Sequence, residues 1–434
     1  MRIVQITPGS GDSFYCENCL RDAALVKAMR RLEHDILMVP LYLPLQSDKA
    51  EPLSNAPIFF GGVNVYLQQK FALFRRTPRW IDKLFDSRRL LEWAGRKAGM
   101  TSARDLGETT VSMLEGEDGR QVKELDRLVD WLQAEEQKPD VVCLSNILLG
   151  GLARRIKDRL GVPVLCLLQD EDGFLDGLTS PYAEQAWEIV RRRARDVDGF
   201  LAVTDYFGRT MQERLSVEPA RMHVVHMGIE LNDYTPPDTR PAEPTIGYLS
   251  RMCPQHGLDT LIEAFILLKK EPALASARLR ISGGRYASDE PFIEQMRQRL
   301  RAAGVLDDVE FLDTFDRDAK LAFLRSLTVL SVPEPKPVAY GLYVLEALAT
   351  GVPVVEPAIG SFPETIEMAG GGVLYEPNTA EKLAESLAAL LSDPEAVGRL
   401  GAEGRAGVCK AFDIERTARD MVDVCERMAR KGNE

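Results

Sequence analysis

The chain has 434 residues, a length that exceeds the usual size of a domain with a single hydrophobic core. Its hydrophobic content of 45% is enough for two cores. Its formal charge of −12 argues against general binding to nucleic acid, because phosphate backbones require a basic surface. The first residues, MRIVQITPG, contain no secretory signal, no apolar run approaches the ~18 residues of a membrane-spanning helix, and the seven cysteines are scattered along the chain. We therefore expect a cytoplasmic protein of two domains without disulfides.

Short β-branched segments alternate with helix-length amphipathic segments, which is typical of parallel sheets covered on both faces. The pattern predicts an α/β fold of two doubly wound, Rossmann-like domains. Predicted strands of the first half span residues 3–6, 35–39, 141–144, 164–168, 199–203 and 223–225. Those of the second half span residues 245–248, 278–282, 309–312, 329–332, 352–355 and 372–374.

The stretch 232–244 (NDYTPPDTRPAEP) has the proline-rich, polar composition of an inter-domain linker. This predicts an N-terminal domain at 1–231 and a C-terminal domain at 245–413, with the substrate cleft beneath the linker. The final segment, 414–434, is predicted to be a helix. From the pattern alone, it either completes the second domain or crosses back onto the first.

The loop after the first predicted strand contains Gly9, Ser10, Gly11 and Asp12. Because Gly11 has no Cβ, this backbone can approach a ligand closely. An ordinary tight turn is the alternative, since the loop has neither the full G-x-G-x-x-G spacing nor the lysine of a Walker loop.

Two cysteines, Cys16 and Cys19, follow that loop with C-x-x-C spacing at a predicted helix start. This placement lowers a thiolate pKa and occurs in redox proteins. The chain has no second C-x-x-C and only four histidines to complete a zinc site. We therefore favour packed thiols over a redox or metal function.

An insertion at about 46–139 interrupts the alternation of strands and helices. Within it, residues 70–97 contain nine basic and three acidic residues, with Trp80, Phe85 and Trp93 among them. Three interpretations stay open. We favour a helical cap with a solvated basic face; the others are stacking on a sugar-bearing or anionic acceptor, and peripheral contact with anionic lipid.

Polar residues follow several predicted strands, where open α/β sheets keep functional side chains. Asp170 and Glu171 come after strand 164–168 and either polarise an acceptor hydroxyl or cap a helix. Thr204 and Asp205 carry the same ambiguity. In the second half, Arg251 and His256 lie in the loop after its first strand. Two more groups lie at the ends of predicted strands in the second half. They are Ser282, Gly283 and Gly284 at the end of strand 278–282, and Thr314 and Phe315 after strand 309–312.

The stretch 331–376 predicts a βαβ unit with a helix at 341–349. The first amides of this helix, at Gly341, Leu342 and Tyr343, are suited to bind a diphosphate. Glu346, a turn and a half into the helix, can accept hydrogen bonds from a vicinal diol. The segment Ser361 to Glu364 predicts a capping box that starts a second helix at the same sheet edge. Gly360 and Ser361 are therefore further candidates for donor binding.

Three runs in this block, GLYVLEALATGVPVV, GSFPE and GGGVLYEPN, resemble the nucleotide-binding half of the retaining glycosyltransferases of family 4, the group 1 enzymes of GT-B fold. The resemblance covers most of the chain. It implies a hexosyltransferase-type enzyme that moves a sugar from a nucleotide diphosphate sugar to an unknown sugar, lipid or small-molecule acceptor, with retention and without a metal or cofactor. It also implies that the final helix crosses back.

The resemblance assigns roles to particular residues. Arg251 matches an arginine that grips the donor diphosphate in the family, and His256 stands where a lysine is expected. The predicted catalytic set also contains Asp170 and Glu171, which are inferred from their position after strand 164–168 and not from the resemblance. Gly283 and Phe315 lie where similar enzymes hold the base, and residues 9–12 lie where a glycine-rich loop approaches donor and acceptor.

Two positions depart from the family pattern. Val338 stands where the family usually has a glutamate, eight positions before Glu346, and Gln169 stands where it often has a histidine. Valine offers neither charge nor hydrogen bond to a sugar. Two further functions are therefore kept open: a catalytically impaired nucleotide-sugar-binding protein and a sugar-nucleotide epimerase on the same scaffold.

Overall fold

The computed structural model of the chain describes residues 1–9, 17–42, 56–57, 59–60, 65, 68–69, 71, 103–135, 138–237, 239, 241–312 and 316–431. The chain divides into two compact units, one of Met1–His226 with Thr417–Glu434 and one of Met227–Arg416. Each unit is built on a six-stranded parallel sheet flanked by helices. The predicted fold class, two doubly wound α/β domains, is therefore confirmed.

The sheet of the first unit has the strand order β2-β1-β3-β4-β5-β6. Its strands are β1 (Arg2–Thr7), β2 (Asp35–Pro40), β3 (Val141–Leu144), β4 (Val164–Leu168), β5 (Gly199–Ala202) and β6 (Met222–Val224). The helices among them are α1 (Glu17–Arg31), α2 (Ala103–Leu114), α3 (Val122–Ala134), α4 (Ala153–Leu160), α5 (Glu171–Asp176), α6 (Tyr182–Arg193) and α7 (Asp205–Leu215). All residues of β3, β4 and β5 are buried, as expected of central parallel strands covered by helices.

The sheet of the second unit has the order β12-β11-β10-β7-β8-β9. Its strands are β7 (Thr245–Leu249), β8 (Arg278–Ser282), β9 (Val309–Phe311), β10 (Val329–Leu330), β11 (Val354–Pro357) and β12 (Gly372–Tyr375). Its helices are α8 (Leu258–Leu268), α9 (Glu290–Ala302), α10 (Arg317–Arg325), α11 (Leu342–Ala349), α12 (Phe362–Ala369), α13 (Ala380–Leu391) and α14 (Pro394–Ala411).

The last helix, α15 (Ile414–Lys431), begins in the second unit and continues in the first. The Thr417 hydroxyl donates to the backbone oxygen of His226 at 2.8 Å. Further along α15, the Cys425 sulfur lies 3.9 Å from that of Cys143 in β3. None of the helices in the described part of the chain is both long and apolar enough to cross a bilayer.

All twelve predicted strands are present, with ends displaced by two residues at most. The largest displacements lie around α11 and have local causes. The strand β10 stops at Leu330 because the N–H of Val332 donates to the carboxylate of Glu356 instead of to a neighbouring strand. The strand β11 starts at Val354 because Pro353 has no N–H and the N–H of Val352 donates to Ala347 O at 2.9 Å.

Part of the predicted insertion at 46–139 is described, and a buried arginine fixes it to α6. The Arg193 side chain is 1% exposed. Its guanidinium donates from Nε to Leu114 O at 3.1 Å, from Nη1 to a Glu117 carboxylate oxygen at 2.9 Å, and from Nη2 to Glu115 O. A single buried side chain thus binds the end of α2 at three points. Residues 72–97, and with them the three interpretations of the basic stretch, lie outside the described residues.

We expect Arg193→Ala to lower the free energy of unfolding by about 3 kcal/mol or more, because it removes the side-chain donor of two carbonyls and one of the two donors of the Glu117 carboxylate. The matched control is Arg192→Ala, whose side chain is 48% exposed and pairs with Glu115. This exposed pair should contribute less than about 1 kcal/mol. Urea denaturation of both variants provides the comparison, and similar losses would contradict the role given to Arg193.

Candidate functional site

The helix α11 begins at the end of the loop that follows β10. Gly341 is its N-cap residue, with φ −128° and ψ 91°, and the helix starts one residue later than predicted. The first N–H groups of a helix have no partner within the helix and carry the positive end of its dipole. The aromatic rings of Tyr343 and Phe362, at the starts of α11 and α12, lie 6.4 Å apart between centroids. The two predicted helix starts are therefore neighbours.

The carboxylate of Glu346 lies inside this region and is 5% exposed. Two side chains donate to the same oxygen, Oε1: the Tyr234 hydroxyl at 2.6 Å and the Lys320 ammonium at 2.5 Å. Within the described ranges, no group donates to the other oxygen, Oε2. The side chain proposed to bind a diol thus has one oxygen occupied by the protein and one available.

The loop before α12 packs directly on position 338. The N–H of Ser361 donates to Val338 O at 3.2 Å, and a Cβ on Gly360 would lie 2.6 Å from Val338 N. Gly360 has φ +59°, a conformation that favours glycine. The Val338 side chain is half-buried against the hydrophobic core. A valine at this position therefore has a packing role.

The predicted capping box at Ser361 to Glu364 is wrong. Ser361 is the N-cap residue of α12, but its backbone has φ −83° and ψ −9°, and its side chain makes no capping hydrogen bond. The extended conformation that brings an N-cap hydroxyl to the third N–H is missing. The Ser361 hydroxyl is fully buried, and no described residue forms a hydrogen bond with it.

His256 closes a short 3-10 turn, Pro254–His256, and is bound to a buried glutamate. Its Nδ1 lies 2.9 and 3.1 Å from the two carboxylate oxygens of Glu334, whose side chain is 4% exposed. The hydroxyl of Tyr343 lies 3.3 Å from the same carboxylate. This contact fixes the orientation of the imidazole ring and places a carboxyl group beside its Nδ1.

Arg251 forms a bidentate ion pair with Asp289. Its Nε and Nη2 atoms donate to the two carboxylate oxygens at 2.9 and 2.8 Å, and its guanidinium lies 4.4 Å from the centre of the Tyr286 ring. The hydrogen bond from Arg251 lowers the pKa of Asp289. In the part of the chain that the structure describes, the third nitrogen, Nη1, has no acceptor, and the Arg251 side chain is 40% exposed.

Gly283 brings the end of β8 against this arginine loop. It has φ +141°, and a Cβ there would lie 1.9 Å from Ser250 O. The N–H of Met252 donates to Gly284 O at 3.0 Å. The loops after β7 and β8 are therefore joined backbone to backbone. Phe315, the other residue predicted near the nucleotide base, lies outside the described residues, as does Thr314.

In the first unit, Gln169 is part of a buried polar network. Its side-chain oxygen accepts from Arg21 at 2.7 Å, and its amide nitrogen donates to Asp22 at 3.2 Å and to Ser145 O at 2.6 Å. Burial raises the pKa of Asp22, while the hydrogen bonds it receives from Ser145 and Gln169 oppose this. Gln169 is 1% exposed and is held by protein groups.

The two carboxylates predicted to be catalytic in this unit occupy different environments. Glu171 is 4% exposed and accepts from the backbone N–H groups of Gln169 at 2.5 Å and Ile147 at 3.2 Å. Burial raises the pKa of Glu171 to about 7, although these amides favour its charged form. Asp170 is exposed, has φ +75°, and makes no capping hydrogen bond to α5. Glu171 thus holds the loops after β3 and β4, and Asp170 faces outward.

The remaining candidates of the first unit are only partly described. Gly9 has φ +82°, and Ser10, Gly11 and Asp12 lie outside the described residues, as do the side chains of the C-x-x-C pair. Thr204 is the N-cap of α7 and accepts from Phe207 N at 3.2 Å. Of the two roles considered for Thr204, the structure shows the helix cap.

Several groups of this site were not identified from the sequence. Tyr234 lies within the stretch 232–244 but is 4% exposed and packs in the core of the second unit. Lys320, Glu334 and Asp289 bind Glu346, His256 and Arg251, from which they are 26, 78 and 38 residues distant. No local pattern indicates such long-range pairs.

We expect Gly360→Ala to lower the free energy of unfolding by about 2 kcal/mol more than Gly304→Ala, because overpacking against backbone adds to the strain of a positive φ. Gly304 is the matched control, since it has φ +72° with no atom within 4 Å of an added Cβ. Chemical denaturation measures both, and equal losses would mean that the loop moves away from Val338 without cost.

The free energy of unfolding should depend on pH through Glu171. With its pKa at about 7, against 4.5 for an ordinary glutamate, the folded state holds a proton that the unfolded state has lost between these values. Rising pH across this window therefore destabilises the protein. Relative to wild type, Glu171→Gln should gain roughly 3 kcal/mol between pH 4.5 and pH 8, at about 1.4 kcal/mol per pKa unit. The exposed Glu184→Gln is the control, and parallel pH profiles of the wild type and Glu171→Gln would contradict the assignment.

Two family models match the chain. Residues 23–228 match the glycosyl transferase 4-like domain, and residues 236–407 match the glycosyl transferases group 1. Among curated proteins, the D-inositol 3-phosphate glycosyltransferase of a Nocardioides species is 26% identical over 324 residues, which are 68% of this chain and 70% of the relative. The protein of the same name from Kribbella flavida is 28% identical over 51% of this chain, and the chain spans about half its length, 54%.

Among solved structures, Anabaena HepE in complex with UDP-glucose superimposes with a TM-score of 0.66 over 98% of this chain and 100% of its own, at 15% identity. At this identity the similarity shows the fold alone. The two family models lie on the two halves of the chain and together cover most of it. Each half of the chain is therefore similar to one of these two glycosyltransferase domain families, and the fold is that of the GT-B structures.

Proposed function

We propose that this protein is a glycosyltransferase that moves a hexosyl group from a nucleotide diphosphate sugar to an acceptor hydroxyl with retention of configuration. In this reaction the bond between the anomeric carbon and the diphosphate oxygen breaks, and a bond to the acceptor oxygen forms. The nucleoside diphosphate departs with the bonding electron pair, and its phosphate oxygen takes up the proton of the acceptor hydroxyl. The enzyme must therefore stabilise the negative charge that develops on the leaving diphosphate.

The observation that carries the proposal is the position of Glu346 behind the start of α11. The backbone of Glu346 lies about one helical turn beyond the amides of Leu342 and Tyr343, which corresponds to about 5–6 Å along the helix axis. In a nucleotide sugar, the pentose diol lies on the nucleoside side of the diphosphate. Amides for the diphosphate and a carboxylate for the diol therefore occur in the order in which the ligand presents its groups.

Two cations are assigned to the leaving group. His256, held at Nδ1 by Glu334, stands in place of the family lysine and in this proposal supplies positive charge when both of its ring nitrogens carry a proton. Arg251, held by Asp289 through two of its nitrogens, keeps Nη1 for a phosphate oxygen. Because their partners fix both side chains before the ligand arrives, little reorganisation is needed during the reaction. In this proposal these groups and the helix amides neutralise the diphosphate, and no metal is assigned.

The relatives support the choice of substrates. Curated relatives are named as D-inositol 3-phosphate glycosyltransferases, and HepE binds UDP-glucose. We therefore assign a nucleotide-sugar donor to the second unit and place inositol phosphates first among the acceptors to be tested. Asp170, exposed after β4, is the carboxylate proposed to interact with the acceptor.

One observation favours a second candidate function. Val338 supplies no polar group where the family usually has a glutamate, and its backbone is fixed by the Gly360 loop. A chain with this substitution retains groups for the nucleotide and lacks one for the sugar. The second candidate is therefore a nucleotide-sugar-binding protein with impaired transfer.

The test uses the purified full-length chain with a panel of UDP, GDP and ADP sugars. Calorimetry measures binding, and a coupled assay measures release of nucleoside diphosphate, with and without inositol phosphates or a cell extract. We expect one base to be bound preferentially, slow release without acceptor, release at least tenfold faster with acceptor, and no loss of rate in EDTA. Absence of binding to every nucleotide would refute the proposal.

Variants of the leaving-group cation sharpen this test. His256→Ala should lower the turnover number by about 100-fold, as loss of a preorganised charged donor does in other enzymes. His256→Lys should recover most of that loss, and His34→Ala, a half-buried histidine of the first unit, should have no effect. Equal turnover in His256→Ala and wild type would remove this residue from the mechanism.

The competing functions have their own outcomes. Binding without release in any extract, followed by release in Val338→Glu, would identify the impaired transferase. Interconversion of the free nucleotide sugar, with no sugar transferred, would identify an epimerase.

A further inference from the structure

The carboxylate of Glu346 is held by two side chains that reach it from separate parts of the second unit. Lys320 lies in α10, and its side chain is 15% exposed. Tyr234 precedes β7 and is 4% exposed. Both donate to Oε1, and no described residue donates to Oε2. Among the residues that the structure describes, two donors share one oxygen of this carboxylate and none reaches the other.

This arrangement compensates the negative charge of a buried carboxylate. A carboxylate that is 5% exposed and has no cation nearby is an uncompensated buried charge, which is strongly unfavourable. The Lys320 ammonium compensates that charge at 2.5 Å. The Tyr234 hydroxyl, at 2.6 Å, takes up the remaining capacity of Oε1 and fixes the rotation of the carboxyl group.

The open oxygen has the capacity that a vicinal diol requires. A carboxylate oxygen accepts two hydrogen bonds, one for each hydroxyl of a ribose. Hydrogen bonds to an ionised acceptor are about twice as strong as those between neutral groups. An oxygen held in place before binding also avoids the entropic cost of ordering the side chain in the complex.

We propose that Lys320 and Tyr234 are positioning residues that make the donor site selective for ribonucleotides over deoxyribonucleotides. They act through Glu346: both donate to its Oε1 and thereby direct Oε2 to the pentose. The inference rests on the proposed binding of a nucleotide at the start of α11. It adds a determinant of specificity that lies outside the helix and outside the residues identified from the sequence.

A different role for Lys320 gives a different result. If its ammonium bound the diphosphate directly, its removal would weaken a ribonucleotide and the matching dideoxynucleotide by the same factor. If it positions Glu346, the loss is confined to the ligand that has hydroxyls. The ratio of the two affinities therefore separates the roles, and a general loss of folding does not change that ratio.

The experiment measures dissociation constants of the full-length protein by calorimetry. UDP, GDP and ADP identify the preferred base, and the 2′-deoxy and 2′,3′-dideoxy forms of that nucleotide are then compared with it. We expect wild type to bind the ribonucleotide at least tenfold more tightly than the dideoxy form. In Lys320→Met this preference should fall below about threefold, and in Tyr234→Phe it should fall by a smaller factor.

Three further variants complete the design. Lys320→Arg retains the charge and should keep most of the preference. Lys382→Met removes a lysine that pairs with Glu385 on the surface and should leave the preference unchanged. When Glu346→Gln is the starting protein, adding Lys320→Met should produce no further change in the ratio, because both substitutions act on the same contact.

The outcomes distinguish the inference from the function on which it rests. Wild type that binds no nucleotide would overturn both. Wild type that binds ribo- and dideoxynucleotides equally, or Lys320→Met that keeps the full preference, would overturn the inference and leave the proposed donor site in place. Thermal unfolding shows whether each variant is folded under the conditions in which its two affinities are measured.

Discussion

Three buried carboxylates determine how the second unit is built around α11. Glu334, Glu346 and Glu356 are 3%, 5% and 0% exposed, and each obtains its donors from a distant part of the chain. Glu356 accepts from the N–H of Val332, Glu334 binds His256, and Glu346 binds Lys320 and Tyr234. Burial raises the pKa of Glu356 well above its usual range. Because a buried carboxylate without donors is costly, these contacts fix the loops that carry the proposed donor site.

The same constraint explains which parts of the structure could be predicted from the sequence. Strand positions follow from local hydrophobic patterns, so all twelve strands and the start of α11 were located to within two residues. The pairing of Lys320 with Glu346, or of Glu334 with His256, depends on how the sheet brings distant loops together. Local patterns contain no information about such contacts, and the family resemblance indicated only one member of each pair.

The capping box shows a different limit of prediction. The residue types at 361 and 364 fit the pattern, but the backbone of Ser361 is helical because its N–H is bound to Val338 O and its neighbour Gly360 packs on the same residue. A tertiary contact thus overrides a local preference. Likewise, Gln169 replaces the histidine often found in the family, and its side chain is satisfied by Arg21, Asp22 and Ser145. The consequence for the proposed function is that position 169 supplies no proton acceptor.

The valine at 338 has consequences for how a donor is recognised. Glu334, four residues earlier, does not replace the missing carboxylate, because it is buried and its carboxylate is turned to His256 and Tyr343. The groups assigned to the donor are therefore concentrated on its diphosphate and pentose. Under the proposed function, the side chains that the second unit offers to the donor bind its nucleotide part, and position 338 offers none to the hexose. We therefore expect such a site to discriminate among donors mainly by their nucleotide.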